Sequence, residues 1–192
     1  LPEAQRTAKG RALVNILPLR DGERVQAVQA TRDFTEGKYL VFATKKGQIK
    51  KTEFLPYNTP IKPDGIIATK IRDDDELVAV RRTSGDDDII MVSRSGQAAR
   101  FNEDDVRPMG RDTGGVRGMD MKDEDYIEHL FVSSTHDYLL FFTNRGKVYR
   151  QKVYELPEAS RTAKGRALVN LLPLREGERV QAVQATRDFT EG

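Results

Sequence analysis

Short runs of β-branched and aromatic residues alternate with polar turns along the whole chain. Three of these runs, at residues 39–47, 89–96 and 138–146, end in a turn glycine, and a second extended run follows each. Glycine supplies the positive φ angle that a tight β-hairpin turn requires. The pattern therefore predicts three β-hairpins, whose glycines Gly47, Gly96 and Gly146 stand 49 and 50 residues apart.

Further strand candidates flank each hairpin. Strands are predicted before the hairpins at residues 24–30, 77–82 and 126–133, and after them at residues 66–71, 116–121 and 167–172. Four strands in about fifty residues are typical of a propeller blade. The chain is thus predicted to be one all-β domain of the β-propeller or β-pinwheel type, with blades at about residues 23–71, 72–121 and 122–172. Residues 102–107 and 152–156 could instead form one-turn helices, each cut short by a proline.

The two ends of the chain are near-duplicates of each other. Residues 1–37 recur as residues 156–192, with differences only at Gln5/Ser160, Ile16/Leu171 and Asp21/Glu176. Residues 173–192 and 1–22 would open and close a further blade without its central hairpin, so its edges would be exposed, and exposed edges favour strand exchange. A closed monomer remains an alternative, but we expect a strand-exchanged homo-oligomer, with two chains forming a six-bladed disc.

Composition narrows the classes of function. The chain has no cysteine and two histidines, which excludes disulfides and argues against a metal site or any other cofactor. No apolar run is long enough to span a bilayer, so we expect a soluble, cytoplasmic protein. With 32 Lys and Arg against 30 Asp and Glu, the net charge is only +2. Binding to a polyanion would therefore depend on how the cations are distributed.

Comparison of the blades indicates where the cations lie. Counted from the hairpin glycine, position +2 is apolar and is predicted to face inward, whereas positions +4 and +15 are basic in every blade. Position +2 is Ile49, Ala98 and Val148; position +4 is Lys51, Arg100 and Arg150; position +15 is Lys62, Arg111 and Arg161, matched by Arg6 in the partial copy. A cation at a fixed place in a repeated unit recurs around the rim. Such a row would bind phosphates in a salt-sensitive and largely sequence-independent way.

The predicted DNA-binding set consists of these cations and their basic neighbours on the hairpins and loops. The alternative interpretation is that they are solvated and paired with the many acidic residues. The members are Arg6, Lys9, Arg11, Lys45, Lys46, Lys50, Lys51, Lys62, Arg94, Arg100, Arg111, Arg117, Arg145, Lys147, Arg150, Lys152, Arg161, Lys164 and Arg166.

Other polar motifs indicate turns rather than chemistry. The acidic clusters at residues 72–76, 85–88 and 122–125 lack the ligand alternation of an EF-hand loop, so we expect solvated turns between blades. His136 beside Asp137 resembles a catalytic triad only in composition. The sequence therefore predicts no catalytic residues, although an enzyme with a site in a propeller channel is a further alternative.

The sequence of the blades at residues 107–119, 138–152 and 156–172 resembles the C-terminal domain of the DNA gyrase A subunit, and the similarity covers essentially the whole chain. The resemblance implies a β-pinwheel whose basic rim wraps double-stranded DNA, with Lys51, Arg100 and Arg150 at or near that rim. It also implies the rest of gyrase A and gyrase B as partners. The catalytic tyrosine and ATP site of that family belong to other domains and subunits, so this part is expected to be non-catalytic.

Two departures from the family pattern affect the expected function. The family's box Gln-Arg-Arg-Gly-Gly-Lys-Gly normally precedes the segment that resembles residues 122–130, and residues 111–118 stand there instead. The blade order is also rearranged, which indicates a permuted, reconstructed or engineered version. The alternative function is accordingly a propeller scaffold with weak or no DNA binding.

Overall fold

The computed structural model describes residues 9–10, 12, 15–60, 62–122 and 124–186. Across these residues the chain forms eleven β-strands, four short 3-10 turns and no α-helix, so the all-β prediction is confirmed. The strands are β1 (Tyr39–Thr44), β2 (Gln48–Glu53), β3 (Leu77–Thr83), β4 (Asp88–Ser93), β5 (Gln97–Asn102), β6 (Val116–Arg117), β7 (Ile127–Ser133), β8 (Tyr138–Thr143), β9 (Val148–Lys152), β10 (Arg166–Ala167) and β11 (Val180–Thr186). The 3-10 turns are Leu55–Tyr57, Glu103–Asp105, Val153–Glu155 and Leu168–Asn170.

The strands form three antiparallel sheets that interlock along the chain. The order is β3-β1-β2-β6 in the first sheet, β7-β4-β5-β10 in the second and β11-β8-β9 in the third. Each sheet is centred on one of the three predicted hairpins, and the turn glycines have φ angles of 80° at Gly47, 81° at Gly96 and 72° at Gly146. The outer strands of each sheet come from later in the chain. Each hairpin is therefore flanked by strands that the sequence also connects to the next hairpin, and the blade boundaries at residues 23–71, 72–121 and 122–172 stay a prediction.

Several predicted flanking strands are shorter than expected or absent. Residues 77–82 form most of β3 and residues 126–133 contain all of β7. Residues 116–121 contribute only the two-residue strand β6, and residues 167–172 contribute only the second residue of β10. These strands stop early because the next N–H groups, of Gly118 and Leu168, turn back to the carbonyls of Gly47 and Gly96. Residues 24–30 and 66–71 form no strand. Among the described residues no hairpin precedes residues 24–30 to supply a partner strand, and residues 66–71 follow the first hairpin but pair with no strand edge.

The one-turn helix alternative was correct in position. Glu103–Asp105 and Val153–Glu155 are 3-10 turns within the two segments singled out from the sequence.

Two of the three apolar clusters of the core lie on opposite faces of β4, and the third, around Leu40, Phe42 and Phe54, lies on the first sheet. Ile89 and Met91 pack in a cluster between the first and second sheets, and Ile90 and Val92 pack in a cluster between the second and third. This arrangement follows from the alternation of side chains along a strand. The inward orientation expected of Val148 is wrong, since its side chain is 54% exposed. Among the described residues, β9 has no strand on its outer side to cover it.

Candidate nucleic-acid interface

The cation at position +4 is buried in the first blade and largely covered in the second. Lys51 is 2% exposed and the side chain of Arg100 is 10% exposed. The expectation that these two residues lie on the exposed rim is therefore wrong. No phosphate could reach either group without displacing the structure above it.

Position +4 is where the following blade docks, which explains the burial. The N–H of Met109 donates to the carbonyl of Lys51 at 2.8 Å, and the N–H of Ala159 makes the equivalent 2.8 Å bond to Arg100. The next segment of chain is thereby held against this point of the strand. The repeated cation lies beneath that segment rather than in solvent.

Lys51 and Arg100 are each neutralised by a carboxylate and also donate a hydrogen bond to a backbone carbonyl. Lys51 Nζ donates to the Glu103 carbonyl at 2.7 Å and lies 3.5 Å from the carboxylate of the same residue. Arg100 Nη1 donates to the Asp88 carboxylate at 2.6 Å, and its Nε donates to the Leu156 carbonyl at 2.8 Å. Each cation thus reaches the 3-10 turn region after the next hairpin. Both are contacts between blades, and buried ion pairs of this kind are costly to break.

Lys50 is also inside the protein, so its expected place on the rim is wrong. Its side chain is 1% exposed, and Nζ donates to the carbonyls of Ala68 at 3.0 Å and Arg111 at 2.6 Å. Burial is the main cause that lowers the pKa of the Lys50 ammonium to about 8, and the charge on Asp112 partly opposes the shift. Its role is to join the first loop, residues 58–71, to the second loop, residues 106–118.

The third blade differs from the first two at position +4. Arg150 is exposed and its guanidinium lies 5.2 Å from the centre of the Tyr138 ring. Lys152 Nζ lies 3.4 Å from the same ring centre and donates to the His136 carbonyl at 2.8 Å. Both cations therefore lie together on the outer strand of the third hairpin.

Position +15 places a cation on each of three successive loops. Lys62 is exposed, and Arg111 and Arg161 are half-buried. Arg111 Nη1 donates to the Ile67 carbonyl of the first loop at 3.2 Å, and Arg161 Nη1 makes the equivalent bond to the carbonyl of Arg117 in the second loop. The loops thus form a chain in which each arginine contacts the loop before it. We call the cations of these loops the loop row: Lys62, Arg111, Arg117, Arg161, Lys164 and Arg166.

The other members of the loop row are exposed. Arg117, Lys164 and Arg166 all reach solvent, and Arg117 lies 3.4 Å from the Asp120 carboxylate. Two cations that comparison of the blades missed, Lys70 and Arg72, line a groove against the second loop. They were missed because only positions that are basic in every blade were selected, and the third blade has no cation at residues 169–172, where the matching places lie. The closeness of Lys70 and Arg72 in sequence to Lys62 is the signal that could have indicated them.

The cations of the hairpin tips are more strongly neutralised than those of the loop row. Lys45 Nζ lies 3.3 Å from the Glu76 carboxylate, and Lys46 is paired with Asp74. Arg94 lies against the Tyr126 ring at 5.5 Å, and Arg145 donates to the Glu176 carbonyl at 2.9 Å. The remaining tip cation, Lys147, is half-buried. Acidic residues therefore already face this edge and offset part of its positive charge.

The comparisons with known proteins agree with this architecture. The family model described as DNA gyrase C-terminal domain, beta-propeller, matches residues 1–32, 38–84, 87–134 and 137–187. The chain belongs to this family. It is 40% identical over 184 residues to the DNA gyrase A protein of Klebsiella oxytoca, an alignment that covers 96% of this chain and 21% of that protein. The chain therefore spans about a fifth of the length of that curated relative.

Two solved structures are similar to this member of the gyrase C-terminal domain family. The C-terminal domain of DNA topoisomerase IV has a TM-score of 0.76 at 26% identity, covering 98% of this chain and 58% of that one. The DNA gyrase A C-terminal domain has a TM-score of 0.69 at 28% identity, covering 82% of this chain and 52% of that one. The propeller-type fold and the resemblance seen in the sequence are both confirmed.

In this gyrase-family chain, carboxylates of the acidic clusters accept hydrogen bonds from backbone N–H groups of the hairpin tips. The Asp75 carboxylate accepts the N–H of Lys46 at 2.9 Å, and the Asp125 carboxylate accepts the N–H of Ser95 at 3.0 Å. Burial alone would raise the pKa of Asp125, but hydrogen bonds from Ser95, Ser93 and Tyr126 together lower it. These carboxylates are thus hydrogen-bonded turn residues, and the described residues contain no group of three or more His, Asp or Glu that could hold a metal ion.

Three candidate residues lie near the start of the chain. Arg6 and Arg11 are outside the described residues, and Lys9 is exposed. No helix in the described ranges is both long and apolar enough to cross a membrane.

Proposed function

We propose that the chain binds double-stranded DNA without sequence preference along the loop row, as a non-catalytic accessory module of a gyrase-type topoisomerase. The observation that carries the proposal is the recurrence of a cation at one position of three successive loops, Lys62, Arg111 and Arg161, outside the sheets. The proposal includes the rest of gyrase A and gyrase B as partners, in the cytoplasm, since the family's domains are parts of such proteins.

The chemistry of the loop row fits phosphate better than any small ligand. Arg111 and Arg161 each use Nη1 to hold the preceding loop, and a guanidinium has further N–H donors for a phosphate. Cations that recur along a surface neutralise successive phosphates and read no base, so binding is salt-dependent and tolerant of sequence.

The test replaces loop-row cations that do not hold a neighbouring loop. Lys62, Lys164 and Arg166 are changed together to alanine, and the control changes Arg20, Arg24 and Arg32, all exposed and outside the loop row. Both triple variants take the net charge from +2 to −1, so the average field is matched. Only the loop-row variant should lose affinity, and the slope of log K against log salt should fall by roughly 0.9 for each lost phosphate contact.

Duplex binding is measured by titration over a salt series starting at about 50 mM. Equal loss in the two triple variants would show that only net charge matters and would reject the loop row. Absence of binding by the unmodified chain at the lowest salt would reject the DNA-binding function and favour the alternative of a repeat scaffold.

A further inference from the structure

The outer edge of β9 is open, unlike the equivalent edges of the other two hairpins. β2 is paired with β6, and β5 with β10, whereas β9 pairs only with β8 among the described residues. Two apolar side chains are exposed at this edge, Phe142 at 41% and Val148 at 54%. The matching pair in the first hairpin, Ala43 and Ile49, is fully buried. The third hairpin therefore exposes an apolar edge, whereas the equivalent edges of the first two hairpins are covered by short strands.

The other two hairpins show what covers this edge. In both, the loop that follows the next hairpin lies along the second strand. The N–H of Gly118 donates to the Gly47 carbonyl at 2.8 Å, and the N–H of Leu168 donates to the Gly96 carbonyl at the same distance. A short strand pairs beside these bonds, Val116 opposite Ile49 in one case. The same docking contact thus occurs twice within one chain.

The first loop has the features of a docking loop but no hairpin beneath it. Gly65 has a φ of 67°, close to the 75° of Gly165 at the matching place. A Cβ on Gly165 would lie 2.8 Å from the Ala98 carbonyl oxygen, whereas one on Gly65 would meet nothing within 4 Å. Ile67, two residues later, is 65% exposed. The first loop therefore has a backbone shape suited to docking on a strand edge, but no strand edge in the described part of the same copy lies against it.

We propose that the open edge of β9 binds the first loop of a second copy of this chain, head to tail. By the register of the two internal junctions, Ile66 of one copy lies opposite Val148 of the other. The N–H of Ala68 then donates to the Gly146 carbonyl, and Gly65 lies against the carbonyl of Val148. Association between copies is required because both surfaces are described in one copy and do not pair there.

One contact of the internal junctions is missing at this interface. Met109 and Ala159 donate N–H groups to the preceding strand, and Pro60 stands at the matching place of the first loop. Proline has no N–H to donate. We therefore expect a reversible association, weaker than the junctions within the chain. Two copies that dock on each other in this way would join six hairpins and bring Lys62 of one beside the third loop of the other.

The experiment uses single-cysteine variants, since the chain has no cysteine of its own. Val148→Cys protein is mixed with Ile66→Cys protein under mild oxidation, because residues paired across strands are near enough for a disulfide. The control mixes Ile66→Cys with Val169→Cys, a valine that is 62% exposed on another loop. We expect a cross-linked dimer in the first mixture and at least tenfold less in the control.

Light scattering over a dilution series gives the second readout. The unmodified chain should exceed the monomer mass at tens of micromolar and dissociate on dilution. Val148→Lys places a charge on the open edge and should remain monomeric, with an unchanged melting temperature because Val148 is exposed. A monomeric unmodified chain, or equal cross-linking in both mixtures, would overturn the proposal.

Discussion

At the scale of single residues, the same repeated position carries three different cations with different surroundings. Lys51 and Arg100 lie beneath the next blade, where Lys51 is buried and Arg100 is largely covered, and Arg150 on the third hairpin is exposed. A charge is expensive to desolvate unless carboxylates and carbonyls surround it, and Glu103 and Asp88 supply them here. Repetition of a cation therefore indicates a shared place in the fold, and that place can be a junction between blades as readily as a binding surface.

Lys50 gives a prediction for the pH dependence of stability. Burial lowers its pKa in the folded state to about 8, below the ordinary value of 10.5. Between these values the unfolded chain holds a proton that the folded chain has released, so Lys50 adds stability as pH rises. Relative to Lys50→Met, the free energy of unfolding of the unmodified chain should increase by about 1.4 kcal/mol per pH unit above pH 8.

Denaturant titrations at several pH values from about 7 to 10 measure this difference. Below pH 8 the difference between the two proteins should be constant, because Lys50 is protonated in both states. Lys62→Met serves as control because Lys62 is exposed. The free energy of unfolding of the unmodified chain relative to Lys62→Met should stay the same across this pH range. A flat difference for Lys50→Met as well would show that the buried amine keeps an ordinary pKa.

At the scale of elements, one sequence takes two structures in the same chain. Residues 25–31 and β11 have the identical sequence Val-Gln-Ala-Val-Gln-Ala-Thr, yet only β11 is a strand. β11 pairs with β8 of the hairpin before it, and the described residues contain no hairpin before residues 25–31. Val183 is accordingly half-buried and packs against the core, whereas its twin Val28 is 79% exposed. The partner strand decides the outcome here, and local propensity alone does not.

The twin segments provide a matched pair of substitutions. Val183→Asp should lower the free energy of unfolding by about 1–3 kcal/mol, because it places a carboxylate against the core of the third sheet. Val28→Asp changes the same residue in the same local sequence and should stay within about 0.5 kcal/mol of the unmodified chain. Denaturant unfolding of the two variants measures the contrast. Equal effects would mean that residues 25–31 also pack as a strand in solution.

The elements also show how far the sequence could predict this fold. The three hairpins were predictable because each carries its own turn glycine and pairs with itself. The outer strands pair with segments 33 to 70 residues away, as in β2 with β6, so their lengths and partners depend on docking that local patterns do not encode. The cations of position +15 lie outside the sheets, on the loops where the repeat predicts them. The covering of Lys50, Lys51 and Arg100 was not predicted, because it depends on the docking of a later segment of the chain.

At the scale of the whole molecule, the second sheet lies between two cores, and its central strand β4 contributes side chains to both. Its side chains alternate, so Met91 belongs to the core between the first and second sheets and Ile90 to the core between the second and third. Each sheet therefore depends mainly on its neighbours. Arrays of this kind have a stability that is approximately a sum of unit and interface contributions, which permits one end to open before the other.

Adjacent substitutions in β4 should separate the two cores. Ile90 is 1% exposed and Met91 is 0% exposed, and truncation of either to alanine should cost about 2–5 kcal/mol. Ile90→Ala should speed amide exchange most in β8 and β11 of the third sheet, and Met91→Ala should speed it most in β1 and β2 of the first, about tenfold for each 1.4 kcal/mol lost. Hydrogen exchange followed by mass spectrometry or NMR resolves these strands. If either variant instead raised exchange by the same factor in all three sheets, the chain would unfold as one cooperative unit, and the two cores would be energetically inseparable.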